Sequence, residues 1–178
     1  NSSLDAGTDS FTVTAWIKPD VLVADNSYVV TKRGSGEEGS YAGWTIQVLN
    51  QGGLGWSFVD AGVDDASSNS QFIYGYRTYG FEWTYITMVY NNDQFPTNLT
   101  LYANGSRDLS KTIIGTYGTL SNSVPLEIGG TRYLNGVSIG TVLSPFKGSI
   151  AQVQLYKTAL SEASILQNYT ALKGRFGL

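Results

Sequence analysis

Phe11-Thr12-Val13-Thr14-Ala15-Trp16-Ile17-Lys18-Pro19 is the stretch whose reading decides the fold. Phe11, Val13, Ala15 and Ile17 fall on one side; Thr12, Thr14 and Lys18 fall on the other, with Trp16 among them. A period of two is that of a pleated strand with one face in a core and one face away from it. Pro19 brings no backbone N–H, and with Asp20 it ends the strand. Trp16, on the polar side, is expected to pack beneath loops of a second sheet.

Working outward, the same grammar recurs. Residues 28–32 form a short strand, and residues 44–49 and 56–59 flank the Gln51-Gly52-Gly53 turn. Residues 83–90 are apolar on both faces, as a central strand requires. Residues 99–103 run into Asn104-Gly105, a hairpin signal, and residues 126–128 precede Gly129-Gly130. Residues 149–156 alternate again, with Ala151, Val153 and Leu155 inward and Gln152 and Gln154 outward. Residues 60–71 and 131–146 read as long loops. One helix is expected near the end: Ser161 caps it, Glu162 suits its positive pole, Ile165, Leu166, Tyr169 and Leu172 share a face, and Gly174 stops it. Roughly ten short strands at this spacing describe a sandwich, and residues 1–178 read as a single domain.

Composition agrees. Charged residues are only 14% of the 178, while 21 glycines and 12 tyrosines favour strands and tight turns over Glu/Lys-rich helices. A net charge of −3, with no basic cluster beyond Lys32-Arg33, argues against nucleic acid as a partner. No apolar run is long enough for membrane insertion. The chain opens on Asn1 without a leader pattern, which reads as an excised or processed domain. Cysteine and histidine are both missing, and with them thiol chemistry, zinc-thiolate sites and the usual general base.

Five landmarks then resemble one family in its own order. They are residues 11–19; Trp83-Thr-Tyr-Ile-Thr-Met-Val-Tyr90; Leu101-Tyr-Ala-Asn-Gly105; Leu126-Glu-Ile-Gly-Gly130; and Phe146-Lys-Gly-Ser-Ile150 with Val153-Gln-Leu-Tyr156 and Ala159-Leu-Ser161. They resemble the laminin-G-like domains of the concanavalin A-like lectin/glucanase superfamily. The resemblance implies an all-β, concanavalin-like jelly-roll sandwich of two antiparallel sheets with one short C-terminal helix. It also implies a ligand at a rim or on the concave face, and core roles for most of Trp16, Trp44, Trp56 and Trp83. The tail Gln167-Asn-Tyr-Thr-Ala-Leu-Lys-Gly-Arg-Phe-Gly177 is similar to the end of such domains in structural proteins of phages and large viruses.

Catalysis lacks its residues. Glycanases of this architecture set carboxylates as Glu-x-Asp-x-x-Glu on one strand, so that alternate acids meet one sugar. None of Glu37, Glu38, Glu82, Glu127 and Glu162 is followed two positions on by Asp; Glu82 meets Thr84 and Glu127 meets Gly129. Without histidine, a Ser-His-Asp device and the His/Tyr lyase pairing are both out of reach.

Binding has candidates. Asp60, Asn69, Tyr74, Tyr76, Arg77 and Tyr79 on the first loop, with Arg132, Tyr133 and Asn135 on the second, combine rings that stack on sugar C–H faces with hydrogen-bonding partners for hydroxyls. Their expected ligand is a glycan or cell-surface polysaccharide, held where the loops meet at a rim. Asp60, Asp64 and Asp65 offer oxygens to calcium, although the resemblance places its calcium acids where Ala151 and Gln152 stand here. Sequons fall at Asn1, Asn98, Asn104 and Asn168; the hairpin tip at Asn104 is the best placed as a glycosylation acceptor. The leading expectation is a non-catalytic glycan-binding or adhesive domain of an extracellular or virion surface protein. The alternatives are a structural module contacting neighbouring protein subunits and, least of all, a divergent hydrolase or lyase.

Overall fold

The computed structural model of the chain describes residues 4–20, 27–33, 42–49, 53–59, 71–78, 80–93, 97–113, 119–134 and 137–178. In chain order the strands are β1 (Phe11–Pro19), β2 (Ser27–Arg33), β3 (Gly43–Val48), β4 (Gly53–Val59), β5 (Gln71–Thr78) and β6 (Thr84–Asn91). There follow β7 (Thr97–Ala103), β8 (Ser106–Ile113), β9 (Glu127–Ile128), β10 (Thr131–Leu134), β11 (Val137–Leu143) and β12 (Gly148–Tyr156). A helix, α1 (Glu162–Leu172), and a 3₁₀ turn (Lys173–Phe176) close the chain. The first sheet has the order β12-β1-β6-β7-β8 and the second β5-β4-β3-β2-β9; β10 and β11 pair as a separate hairpin. All these strand pairings are antiparallel.

The alternation of β1 is realised as read. Phe11, Val13, Ala15 and Ile17 are buried between the sheets with Trp44 and Ile46 of β3, Ile86, Met88 and Tyr90 of β6, and Leu99 and Leu101 of β7. Phe11 lies 5.6 Å from Trp44 of the second sheet, ring centre to ring centre, and 5.4 Å from its cross-strand partner Tyr90, so an aromatic contact joins the two sheets directly. Each such fully buried side chain contributes roughly 1.5–3 kcal/mol.

Several expectations are corrected. Trp16 does not pack beneath loops of the second sheet. It is fully buried on the outer face of the first sheet, under α1 and the terminal turn, stacked on Phe176 at 4.0 Å and 17°. Residues 131–146 are not a long loop but largely the β10–β11 hairpin, and residues 71–78 form β5. On β12 the simple alternation breaks at a bulge. Gln152 has φ 53°, so Ala151 joins the Trp16 group while Val153 and Leu155 pack on the main core. Gly174 does not stop the helix; the chain tightens into the 3₁₀ turn and ends on Gly177 in the left-handed conformation. Ser161 does cap α1, accepting from the Ser164 N–H.

The β7–β8 hairpin is closed by Asn104 and Gly105 with φ 50° and 77°, the primed-turn geometry that their sequence announces. Asn104 is nevertheless a poor glycan acceptor. Its Oδ1 accepts from the Tyr85 N–H at 2.9 Å, its own N–H donates to the Tyr85 carbonyl, and the turn lies against α1.

Tyr102 sits at the same junction, 6% exposed, with its hydroxyl 3.5 Å from Glu162 Oε1. Burial, and next the Glu162 carboxylate, push its phenol up to about 12. Tyr85 moves in the same direction, chiefly by burial. The neutral phenols are therefore favoured by the fold. That stability is whole below the ordinary tyrosine value near 10 and is lost as pH rises from about 10 to about 12. The expected result is a fall of the unfolding free energy by on the order of 2 kcal/mol across that window. Tyr102→Phe should flatten the slope; an unchanged slope in that variant would assign the alkaline loss elsewhere.

Candidate functional site

A two-sheet sandwich has two outer faces, and here they differ in kind. The outer face of the first sheet is apolar and closed around Trp16, and polar and exposed along β7–β8, where Thr100 bonds Ser110 and the Thr112 hydroxyl donates to Asn98. Trp16, Tyr85, Val89, Tyr102 and Ile165 form a buried cluster of their own, with Trp83, Ala151, Tyr169, Leu172 and Phe176 packed against it. Ile165, the inward residue of α1, has no exposed surface. That apolar part is already occupied by the chain's own C-terminus.

The second sheet carries polar residues in the opposite phase to its core residues. Lys32 pairs with Trp44 and Val30 with Ile46 on the core side, whereas Thr31 pairs with Thr45. The register continues the row sideways through Ser57 of β4 to Phe72 of β5 on one flank, and to Glu127 of β9 on the other. Thr31, Thr45 and Gln47 are buried, and the Thr45 hydroxyl donates to the Val30 carbonyl at 3.4 Å.

At the β9 edge the structure opens. Glu127, Ile128, Gly129, Gly130 and Val142 line a pocket of about 260 Å³. Ile128 and Val142 are 53% and 41% exposed, large apolar side chains that no described neighbour covers fully. Beside them the Glu127 carboxylate accepts from the Thr131 hydroxyl at 2.8 Å, which orients it. Apolar surface next to an oriented carboxylate is a pairing that can take a sugar ring, with C–H groups against the apolar wall and hydroxyls donating to the acid.

Of the residues singled out in the sequence, Arg132 and Tyr133 fall on β10, immediately beyond this pocket, with Tyr133 paired to Ser138. Tyr74, Tyr76 and Arg77 fall on β5, where Tyr74 pairs with Gly55. Asp60, Asp64, Asp65, Asn69, Tyr79 and Asn135 lie outside the described residues. Three strands separate β5 from β9. At about 4.8 Å per strand step, β5 and the pocket's β9 lie roughly 19 Å apart along the sheet, on its opposite edges. The face between them is buried at Thr31, Thr45 and Gln47. Among the described residues no cluster of three or more Asp or Glu side chains is arranged to hold a metal ion. The pocket residues Glu127, Ile128 and Val142 were missed in the sequence. The signal was the pair of exposed aliphatics after a strand motif, and exposure is not written in a sequence.

Two five-stranded antiparallel sheets packed face to face, with one short C-terminal helix, define the class as a β-sandwich. A family profile described as the concanavalin A-like lectin/glucanases superfamily, laminin-G type, matches residues 1–166, and the chain belongs to that family. No curated protein matches the sequence significantly. Among solved structures, the chain is similar to the CBM40 domain of a Ruminococcus gnavus IT-sialidase bound to alpha2,3 sialyllactose. The TM-score is 0.68 and identity 18%, over 92% of this chain and 84% of that one. It is similar to the binding domain of Paraclostridial Mosquitocidal Protein 1, with TM-score 0.68 and 21% identity over 96% of this chain and 39% of that one. It is also similar to a heptameric SAP-like pentraxin from Limulus polyphemus, with TM-score 0.61 and 19% identity over 89% of this chain and 68% of that one. At these identities the likeness establishes the fold.

Proposed function

We propose that the chain is a non-catalytic glycan-binding domain of an extracellular or virion surface protein, with its ligand on the second sheet. The observation that carries this is the open pocket at the β9 edge, where the exposed Ile128 and Val142 stand beside the Glu127 carboxylate. The pocket at Glu127, Ile128 and Val142 is one end of the site. Arg132, Tyr133 and Asn135 follow it in the chain and supply a cation, a ring and an amide. Tyr74, Tyr76 and Arg77 of β5, together with Asp60, Asn69 and Tyr79, are a second contact for an extended polysaccharide. Calcium, where it takes part, is held by Asp60, Asp64 and Asp65. The sialyllactose-bound neighbour supports a saccharide ligand on this fold. The lack of histidine and of paired strand carboxylates supports binding without turnover.

The test is a glycan array on the purified domain, run with calcium and with EDTA. Selective binding is expected, weakened tenfold or more by Arg132→Ala, since a lost charged hydrogen bond costs about 1.5–3 kcal/mol. Tyr76→Ala should weaken only longer saccharides. Loss of binding in EDTA would bring calcium into recognition. A blank array at high protein concentration would overturn the reading in favour of a module that contacts neighbouring protein subunits.

A further inference from the structure

Lys32 is an anomaly in the second sheet. It occupies a core-side position of β2, paired with Trp44, and its side chain is 2% exposed. Its ammonium has a full shell of oxygens: Asp5 Oδ1 at 2.7 Å, the Val124 carbonyl at 3.0 Å, and the carbonyl and Oδ1 of Asn122 both at 3.2 Å. Three separated segments meet there: the N-terminal stretch through Asp5, β2 through Lys32, and the connection before β9 through Asn122 and Val124.

The Asn122 wall of the cage is built independently of the amine. Asn122 Nδ2 donates to the Ala42 carbonyl at 2.8 Å, to the Lys32 carbonyl at 3.2 Å and to the Leu120 carbonyl at 3.3 Å. Asn122 Oδ1 also accepts from the Val124 N–H at 3.2 Å. These contacts hold the Asn122 oxygen inward whether or not Lys32 fills the centre, whereas the Asp5 carboxylate is met by the amine alone among the described contacts. One carboxylate, one amide and two peptide oxygens are a donor set that hard cations take. The centre-to-oxygen distances, 2.7 to 3.2 Å, are those of N–H···O bonds and exceed the roughly 2.3–2.6 Å of calcium. The cage is sized for an ammonium or a large monovalent ion.

We propose that this cage is a monovalent-cation site whose resident cation is the Lys32 ammonium, and that it accepts an exogenous alkylammonium or potassium ion once the lysine stem is cut back. In the native chain the consequence is a junction between the N-terminal segment and the sandwich that carries its own cation and withstands chelators.

The experiment compares Lys32→Ala, which leaves a stem-shaped space, with Lys32→Met, which fills that space without charge. Both should lower the thermal midpoint by several degrees, because a half-buried carboxylate and three inward-facing oxygens lose their partner. Propylammonium chloride should then raise the Lys32→Ala midpoint saturably, as binding to the folded state requires. Potassium should do so more weakly, and tetramethylammonium, which has no N–H donor, should not at equal ionic strength. Lys32→Met and the double variant Asp5→Asn/Lys32→Ala should show no such recovery. If Lys32→Ala does not fold in plain buffer, the same salts are present during refolding, and recovery in propylammonium alone is the expected outcome. Equal responses to all three salts, no response, or an equal response of Lys32→Met would each overturn the proposal.

Discussion

Trp16→Ala should cost about 4 kcal/mol and lower the thermal midpoint by about 10 °C. The indole has no exposed surface and lies within ring-stacking distance of Tyr85 at 5.1 Å, Tyr169 at 5.9 Å and Phe176 at 4.0 Å. Truncation leaves a void bounded on one side by a rigid sheet. On the other side is an element that need not stay, for α1 and the 3₁₀ turn follow β12 as the last part of the chain. The turn carries Lys173 and Arg175, both trypsin sites. Cleavage there should accelerate in Trp16→Ala before global unfolding, because the C-terminal element opens first. Trp16→Phe keeps a ring against Phe176 and removes an indole N–H that is buried without a described partner, so it should cost much less. Equal costs for the two variants would show that the ring stack is not what seals this face.

The sealing of that face marks where sequence reading reached and where it stopped. Alternation in β1 located the core side, because Phe11, Val13, Ala15 and Ile17 respond to a local rule that holds wherever a strand meets a core. Ser161 and the Asn104-Gly105 turn were legible for the same reason: each is a device of neighbouring residues. What covers Trp16 was not legible. Its partner Phe176 lies 160 positions along the chain, and the pleat specifies a face without naming its occupant. Nor could alternation anticipate the bulge at Gln152, which sends Ala151 to one cluster and Val153 to another. The candidate site was readable only as a set of residue types. Whether Tyr74 and Arg132 share a rim depends on the strand pairing, and the pairing puts β5 at an edge of the second sheet and β10 in a separate hairpin with β11.

Gly43→Ala should damage the second sheet severely, costing on the order of 3 kcal/mol or more. Gly43 opens β3 at φ 134°, a backbone conformation that side chains rarely adopt. A Cβ there would collide with the Lys32 carbonyl oxygen and stand 2.7 Å from both Arg33 Cα and Asn122 Nδ2. The first two obstacles are backbone of the paired strand and cannot turn aside without breaking the β2–β3 register at Arg33–Gly43. The third obstacle is the side chain that holds Ala42, Leu120 and Lys32 together, so pushing it out also strips Lys32 of an acceptor. The two contributions separate in a double-mutant cycle followed by urea unfolding. Asn122→Ala removes the movable obstacle, and in that background Gly43→Ala should cost less than in the parent by roughly 1 kcal/mol, the coupling expected of residues in contact. Strict additivity would mean that the damage is all backbone strain, with Asn122 untouched by the new methyl.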